Sequence, residues 1–453
     1  MLNQPVRYDV VVVGGGTAGC ILAGRLSENA DRTVCLIEAG PDYGAYEEAR
    51  WPADMLDARS LAFSHSWETD REDRSQLRAR IIGGCSAHNA CVALRGAPSD
   101  YDEWGPGWTY RELEPYLDGA EETLRVRPTE RDELSPWHAA FADAAGDDAI
   151  LHPVNAVGAV RWNAAFAYLD PARNRPNLTI LADTLVDRVV HDGSRASAVV
   201  TSRGPIEAEQ IVLAASAYGS PAILVRSGIG PESGLPVGDN LSDHVGVGIG
   251  WEPTPQLQED ARRFELVEQR PVYMAQVSVR ARSRSCDARL WDLFFFPALE
   301  RVGSSQTPAY EISAAVFAMK PLSRGCVRLN DADPRTPLAI EHGFLTDERD
   351  AEVLAEGFEI LRELARTPGV SRYADAETRP GRDVSAAEHV RQGARGFFHP
   401  VGTCAIGSVV DANACVLGFE NLYVGDASIM PTVPRANTNL SVAAVAEKLA
   451  TQI

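Results

Sequence analysis

A β-branched run, Tyr8-Asp-Val-Val-Val-Val13, breaks directly into Gly14-Gly15-Gly16-Thr17-Ala18-Gly19 and then into a helix-forming stretch from Cys20 to Ser27. Few architectures accept that junction. Gly14, Gly16 and Gly19 have G-x-G-x-x-G spacing. Glu38 closes the next apolar run, Thr33 to Glu38, close to twenty residues further on. Together they predict the opening of a parallel βαβ unit. The glycines allow a tight turn and a close approach of backbone N–H groups to a pyrophosphate at the helix N-terminus, and the carboxylate can accept from ribose hydroxyls. The glycines alone are a weak signal; the strand, turn, helix and correctly spaced acid together predict a dinucleotide site.

Further along, Ile211-Val-Leu-Ala-Ala215 reads as a return to the buried parallel sheet, and Asn177 to Val190 alternates apolar and polar residues as a strand pair would. From Val245 to Arg395 the pattern changes to separated runs at Val272–Arg280, Leu290–Phe296, Glu311–Met319 and Gly325–Leu329, which suit an antiparallel sheet. A helix is expected to open at Thr346, with Val353, Leu354, Phe358, Leu361 and Leu364 on one face and Pro368-Gly369 closing it. The stretches 51–74 and 131–161 are irregular and read as excursions from the first domain.

With 63 acidic and 43 basic side chains the chain carries a formal charge of −20, which repels nucleic acid and anionic membranes. No run approaches the roughly 20 apolar residues of a membrane span, and the first residues show no basic segment with a cleavage site. The eight cysteines are scattered without a C-x-x-C pair, so neither a metal site nor a disulfide framework is expected. A cytoplasmic protein is the expectation. The sequon Asn177-Leu178-Thr179 is read as chance.

What separates a flavin from a nicotinamide cofactor is the stretch Arg78-Ala-Arg-Ile-Ile-Gly-Gly-Cys-Ser-Ala-His-Asn-Ala-Cys-Val-Ala-Leu-Arg-Gly96. It resembles the first signature of the glucose–methanol–choline (GMC) family of FAD-dependent oxidoreductases. Ser220-Pro221 to Gly230 resembles the second signature, and Val237-Gly-Asp-Asn-Leu-Ser-Asp-His244 resembles the family's VGxNLxDH. His399-Pro-Val-Gly-Thr403, Gly425-Asp-Ala-Ser428 and Asn437-Thr-Asn439 follow in family order. The resemblance implies an α/β fold: a doubly wound, Rossmann-like FAD-binding domain plus a substrate domain with a mainly antiparallel sheet flanked by helices. The expected division gives 1–125, 170–245 and 397–453 to FAD, and 126–169 and 246–396 to substrate.

By the same resemblance, FAD is held by Gly14, Gly16, Thr17, Ala18, Gly19 and Glu38, by Gly83, Gly84, Ser86, His88 and Asn89, by Val186, and by Asp426, Ala427, Thr438 and Asn439. His88 stands where choline oxidases attach FAD covalently, which predicts a tether, with noncovalent contact as the alternative. His399 is expected to be the base that takes the alcohol proton, and Asn437 to hold the substrate oxygen. Read without the family pattern, the two would be an interior His and a helix N-cap. Asp426 has a helix-cap reading beside its cofactor reading.

Where choline oxidases carry a substrate-facing glutamate, two residues after Asp243-His244, this chain has Gly246. With Phe296, Phe397 and Phe398 expected at the pocket, a primary alcohol of apolar or aromatic character is favoured over choline. The expected activity is oxidation of such an alcohol to the carbonyl compound, with hydride passing to flavin N5 and O2 as acceptor. The alternatives are a dehydrogenase with a non-oxygen acceptor and a non-redox flavoprotein lyase. A hydrolase is disfavoured because Gly84-Cys-Ser-Ala-His88 lacks a G-x-S-x-G elbow. The segments 51–74, 131–161 and 256–272 are shorter than is usual in the family, which leaves the lid and the oligomeric state open.

Overall fold

In the computed structural model, which describes residues 7–67, 77–303 and 308–453, the apolar runs at the start of the chain form the centre of a seven-stranded sheet. Strand β1 (Arg7–Val13) leads through the glycine turn into helix α1 (Thr17–Leu26) and strand β2 (Val34–Ile37). After an excursion that includes β3 (Ala149–Leu151), the chain returns as β4 (Leu178–Leu181), β5 (Val186–His191), β6 (Ala196–Thr201) and β7 (Gly204–Leu213), followed by α2 (Ser216–Arg226). The strand order is β4-β2-β1-β7-β6-β5. β4, β2, β1 and β7 run parallel, while β6 and β5 fold back antiparallel. Val10, Val11 and Val12 of β1 have no exposed surface, as a strand covered on both faces requires.

The alternating stretch 177–190 is therefore not a strand pair. β4 and β5 lie at opposite edges of the sheet, β4 beside β2 and β5 beside β6. Alternation reports a half-buried strand and says nothing of its partner.

The second sheet is antiparallel: β8 (Val245–Pro253), β9 (Val277–Ala281), β10 (Leu293–Gly303) and β11 (Pro308–Ala318), joined at one edge by β3. Helix α3 (Glu348–Ala365) packs on it, Leu354, Phe358 and Leu361 being fully buried in a core shared with Val316 and Leu293. Its N-cap is Asp347, whose side chain accepts from the Arg349 N–H, one residue past the expected Thr346. β12 (Ala374–Arg379) and β13 (Arg395–Gly396) pair with β8. The chain then re-enters the first sheet through β14 (Leu422–Val424), parallel to β7, and ends in α4 (Thr438–Ala450). Of the segment 51–74, the part from 68 onward lies outside the described residues.

Candidate active site

The glycine turn is built for close approach. Gly14 has φ +101°, and a Cβ there would sit 2.5 Å from the Ala214 carbonyl oxygen at the end of β7. Gly84, at φ +52°, faces Gly16 so closely that its Cβ would lie 2.5 Å from the Gly16 Cα. Beyond this turn, two helix N-termini converge. Neither Gly16 before α1 nor Asn437 before α4 caps its helix with a side chain. Thr17 Oγ1 at the start of α1 donates to Asn439 Oδ1 at the start of α4, at 2.8 Å. First-turn N–H groups without side-chain caps, on two dipoles aimed at one place, suit a pyrophosphate and a flavin edge that gains negative charge on reduction.

These elements wall a cavity of about 400 Å³. Of the predicted cofactor residues, Gly14, Gly16, Thr17, Ala18, Glu38, Gly84, His88, Asn89, Val186, Asp426, Ala427, Thr438 and Asn439 line it. Gly19, Gly83 and Ser86 are not among the lining residues. Their work is behind the wall. A Cβ on Gly19 would strike the Gly14 carbonyl, the Gly83 N–H donates to Gly15 O at 2.8 Å, and Ser86 Oγ donates to Gly83 O at 2.6 Å while accepting from Ala164 N–H at 3.0 Å. Gly83 and Ser86 thus brace the glycine turn from behind through these hydrogen bonds.

Glu38 accepts from the Gly15 N–H at 2.7 Å through one oxygen and from the Gly40 N–H at 2.8 Å through the other. Burial pushes its carboxyl up to about 7, against the pull of those N–H groups. It braces the glycine turn and keeps lone pairs for ribose hydroxyls. Asp426 takes the cap reading: Oδ1 accepts from Ser428 N–H and Oγ, and Oδ2 from Ser216 N–H and Ser220 Oγ. It still borders the cavity. The donors and acceptors suit FAD, and a hydride acceptor is the chemistry FAD supplies when bound.

His399 and Asn437 also line the cavity. Asn437 Nδ2 donates to His399 Nε2 at 3.3 Å, so this side chain serves the imidazole, not the helix cap. On its far side His399 Nδ1 meets His244 Nδ1 at 2.9 Å, and His244 Nε2 lies 2.8 Å from the Pro434 carbonyl oxygen. Burial and the neighbouring His244 hold His399 well below the usual histidine range. Asp243 accepts through Oδ1 from the His399 N–H at 3.0 Å and fixes the loop that carries the ring; burial pushes its carboxyl up to about 7. Among the described residues Asp243, His244 and His399 are the one His/Cys/Asp/Glu group compact enough to surround a cation, but the two ring nitrogens that approach are bonded to each other.

The surrounding wall is apolar. Phe397 packs on His399 with centroids 4.6 Å apart, stacks on Phe317 at 3.8 Å and meets Phe296 edge-on at 5.3 Å. Ala90 and Val92 belong to the same cluster and line the cavity. Phe398 also lines it, 42% exposed and at φ +62°, a conformation costly for a non-glycine residue. His88 donates from Nε2–H to the Ser64 carbonyl at 2.8 Å, and burial lowers it to about 4. Sequence reasoning passed over His244 and Phe317. Asp243-His244 was visible as part of a motif but carried no stated role, and Phe317 sits in an ordinary apolar strand.

Comparison with known proteins agrees with this geometry. Residues 8–156 and 148–246 match the N-terminal family model described as GMC oxidoreductase, and residues 321–446 match the C-terminal one. The chain is 32% identical, over 98% of both chains, to a 5-(hydroxymethyl)furfural oxidase of Methylovorus sp. (strain MP688). It is 30% identical to an oxygen-dependent choline dehydrogenase of Pectobacterium atrosepticum, over 99% of this chain and 95% of that one. Among solved structures it resembles pyridoxine 4-oxidase from Mesorbium loti, with TM-score 0.83 and 27% identity over 98% of this chain and 99% of that one. A fungal aryl-alcohol oxidase shares the fold, with TM-score 0.77 at 22% identity over 98% of each chain.

Proposed function

Because the chain belongs to the GMC oxidoreductase family of FAD-dependent enzymes that act on CH–OH groups, we propose that its substrate is an uncharged primary alcohol of apolar or aromatic character. The observation that carries this is the wall around His399. Among the described residues only Glu38 and Asp426 bring carboxylates to the cavity, and both are engaged by backbone and serine donors. A cationic alcohol finds no counter-charge. Gly246 reinforces the point, since a Cβ there would lie 2.3 Å from both the Phe317 ring and the Val316 carbonyl oxygen. An aromatic ring and a strand backbone fill the place that a glutamate would need. A relative named for 5-(hydroxymethyl)furfural, whose hydroxymethyl group is a primary alcohol, supports the same class.

In this reading the substrate carbon lies against the wall formed by Phe296 and Phe397, with its hydroxyl at His399 Nε2 and the Asn437 amide. The neutral imidazole takes the hydroxyl proton while the carbon gives up its hydrogen with the C–H electron pair as hydride, leaving the carbonyl, and Asn437 holds the oxygen without competing for that proton; bound FAD would supply the hydride acceptor. Phe397 excludes water from the imidazole face, which keeps the base unsolvated. His88 is the proposed point of covalent attachment, and the proposed division gives 1–125, 170–245 and 397–453 to FAD and 126–169 and 246–396 to substrate. O2 is the proposed acceptor.

The test is anaerobic mixing of the purified protein with benzylic, furanic, aliphatic, sugar and quaternary-ammonium alcohols while flavin absorbance near 450 nm is followed (a general flavin property). Bleaching by neutral aryl or alkyl alcohols ahead of choline is expected. Preferential bleaching by choline would sink the substrate class. Oxygen uptake against dye reduction with the same alcohol separates oxidase from dehydrogenase.

A further inference from the structure

We infer that His244 is a tautomer lock for His399, a positioning residue that decides which nitrogen of the base is free. The inference rests on the reading of His399 as base and adds the group that makes it one. The carbonyl of Pro434 can only accept, so the nitrogen 2.8 Å from it, His244 Nε2, carries a hydrogen. His244 has no exposed surface, and burial together with the positive charges of Lys320 and Arg435 keeps its ring neutral. Its Nδ1 is therefore a lone pair. The partner of that lone pair, His399 Nδ1 at 2.9 Å, must be the N–H donor. A neutral imidazole with hydrogen on Nδ1 has its lone pair on Nε2, the nitrogen that meets Asn437. The order of donors thus runs from a backbone carbonyl through two rings to the reacting atom, and each link permits one tautomer only.

The same burial, with Lys320 and Arg435 adding to it, decides where the substrate proton stays: His244 has no exposed surface, while His399 lines the cavity. Once His399 has taken it, a shift of the Nδ1 hydrogen to His244 would place the charge on a sealed ring near Lys320 and Arg435. Lys320 is itself held by Glu103, Asp100 and the Val433 carbonyl, and Arg435 by Asp100 and the Trp291 carbonyl. His244 is a lock and not a relay: the proton remains on His399 until it leaves by the cavity side.

The test uses ¹⁵N-histidine-labelled holoenzyme. Long-range ¹H–¹⁵N spectra, with the His399 signals assigned by their loss in His399→Gln, are expected to show protonated Nδ1 and bare Nε2 in the parent. In His244→Phe the other tautomer should appear and kcat/KM should fall about 10²-fold or more, with flavin content unchanged. His244→Asn, whose Oδ1 stands near the lost Nδ1, should restore most of the tautomer bias and part of the rate. A parent His399 carrying its hydrogen on Nε2, or a His244→Phe spectrum unchanged at His399, overturns the lock. If no alcohol bleaches the flavin yet the spectra are as expected, the lock stands and the substrate reading falls.

Discussion

Replacing His399 by Ala removes the one ring nitrogen at which the proposed hydroxyl proton can be collected. The structure says what else goes with it: the Asn437 Nδ2–H loses its acceptor at 3.3 Å and His244 Nδ1 loses its donor at 2.9 Å. Loss of the base accounts for about 10²–10⁴-fold in rate. Loss of the partner that orients Asn437 adds to it, so we expect anaerobic flavin bleaching to slow by about 10³-fold or more, roughly 4 kcal/mol of barrier. The cost to folding is smaller. One buried acceptor left unpaired is worth about 1–3 kcal/mol, and water entering from the cavity side can relieve part of it. FAD content per protein should stay close to the parent's, since the cofactor elements lie at the glycine turn and the N-termini of α1 and α4. The assay is stopped-flow absorbance near 450 nm with the best alcohol from the panel, alongside flavin-to-protein stoichiometry. A fully flavinated variant that bleaches within about tenfold of the parent would remove His399 from the chemistry.

Three further outcomes follow from the geometry. Gly84→Ala puts a Cβ 2.5 Å from the Gly16 Cα at φ +52°, so purified protein should lose most of its FAD while far-UV circular dichroism stays near the parent's; normal FAD retention would mean that the turn yields more easily than its geometry suggests. His88→Ala should release all flavin to the supernatant on acid precipitation, whereas the parent pellet stays yellow; a colourless parent pellet would end the covalent proposal. His88, His138, His152 and His244 are lowered by burial to about 4, 4, 3 and 3, so the folded protein binds fewer protons than the unfolded chain as pH falls below 6.5, and their stabilisation is lost on the way down to those values. Glu38 and Asp243, raised to about 7, and Asp170 and Asp426, also raised by burial, oppose this by taking up protons in the folded state first, but His399, held well below the usual range, joins the other histidines, so four carboxyls face five histidines. Denaturant midpoints should therefore be lower at pH 5.5 than at pH 7.5, and the reverse order would show that the histidine contribution has been overestimated.

The parallel half of the fold could be read because its signals are local: a β-branched run, glycines at fixed spacing and an acid at the next strand end all lie within residues 8–38. The antiparallel half was legible as strands but not as partners, and 177–190 shows why. Side-chain alternation is set by one strand's own two faces, while pairing depends on topology that joins residues far apart in the chain. The same distinction runs through the site. His399 and Asn437 could be named from family motifs, and they do meet. The orienting contact of His244 joins residues 155 apart, and Phe317 reaches the pocket only through its stack on Phe397. No local pattern announces either. Ser86 adds a bracing role that its motif does not announce, since its bond with the Ala164 N–H joins residues 78 apart.

The hydrogen bond from Thr17 to Asn439 spans 422 positions of chain, and the groove it closes needs both ends of that span. During synthesis, therefore, the start of α1 meets Glu38, Gly83 and Gly84 early, and this clasp closes only once the start of α4 has emerged.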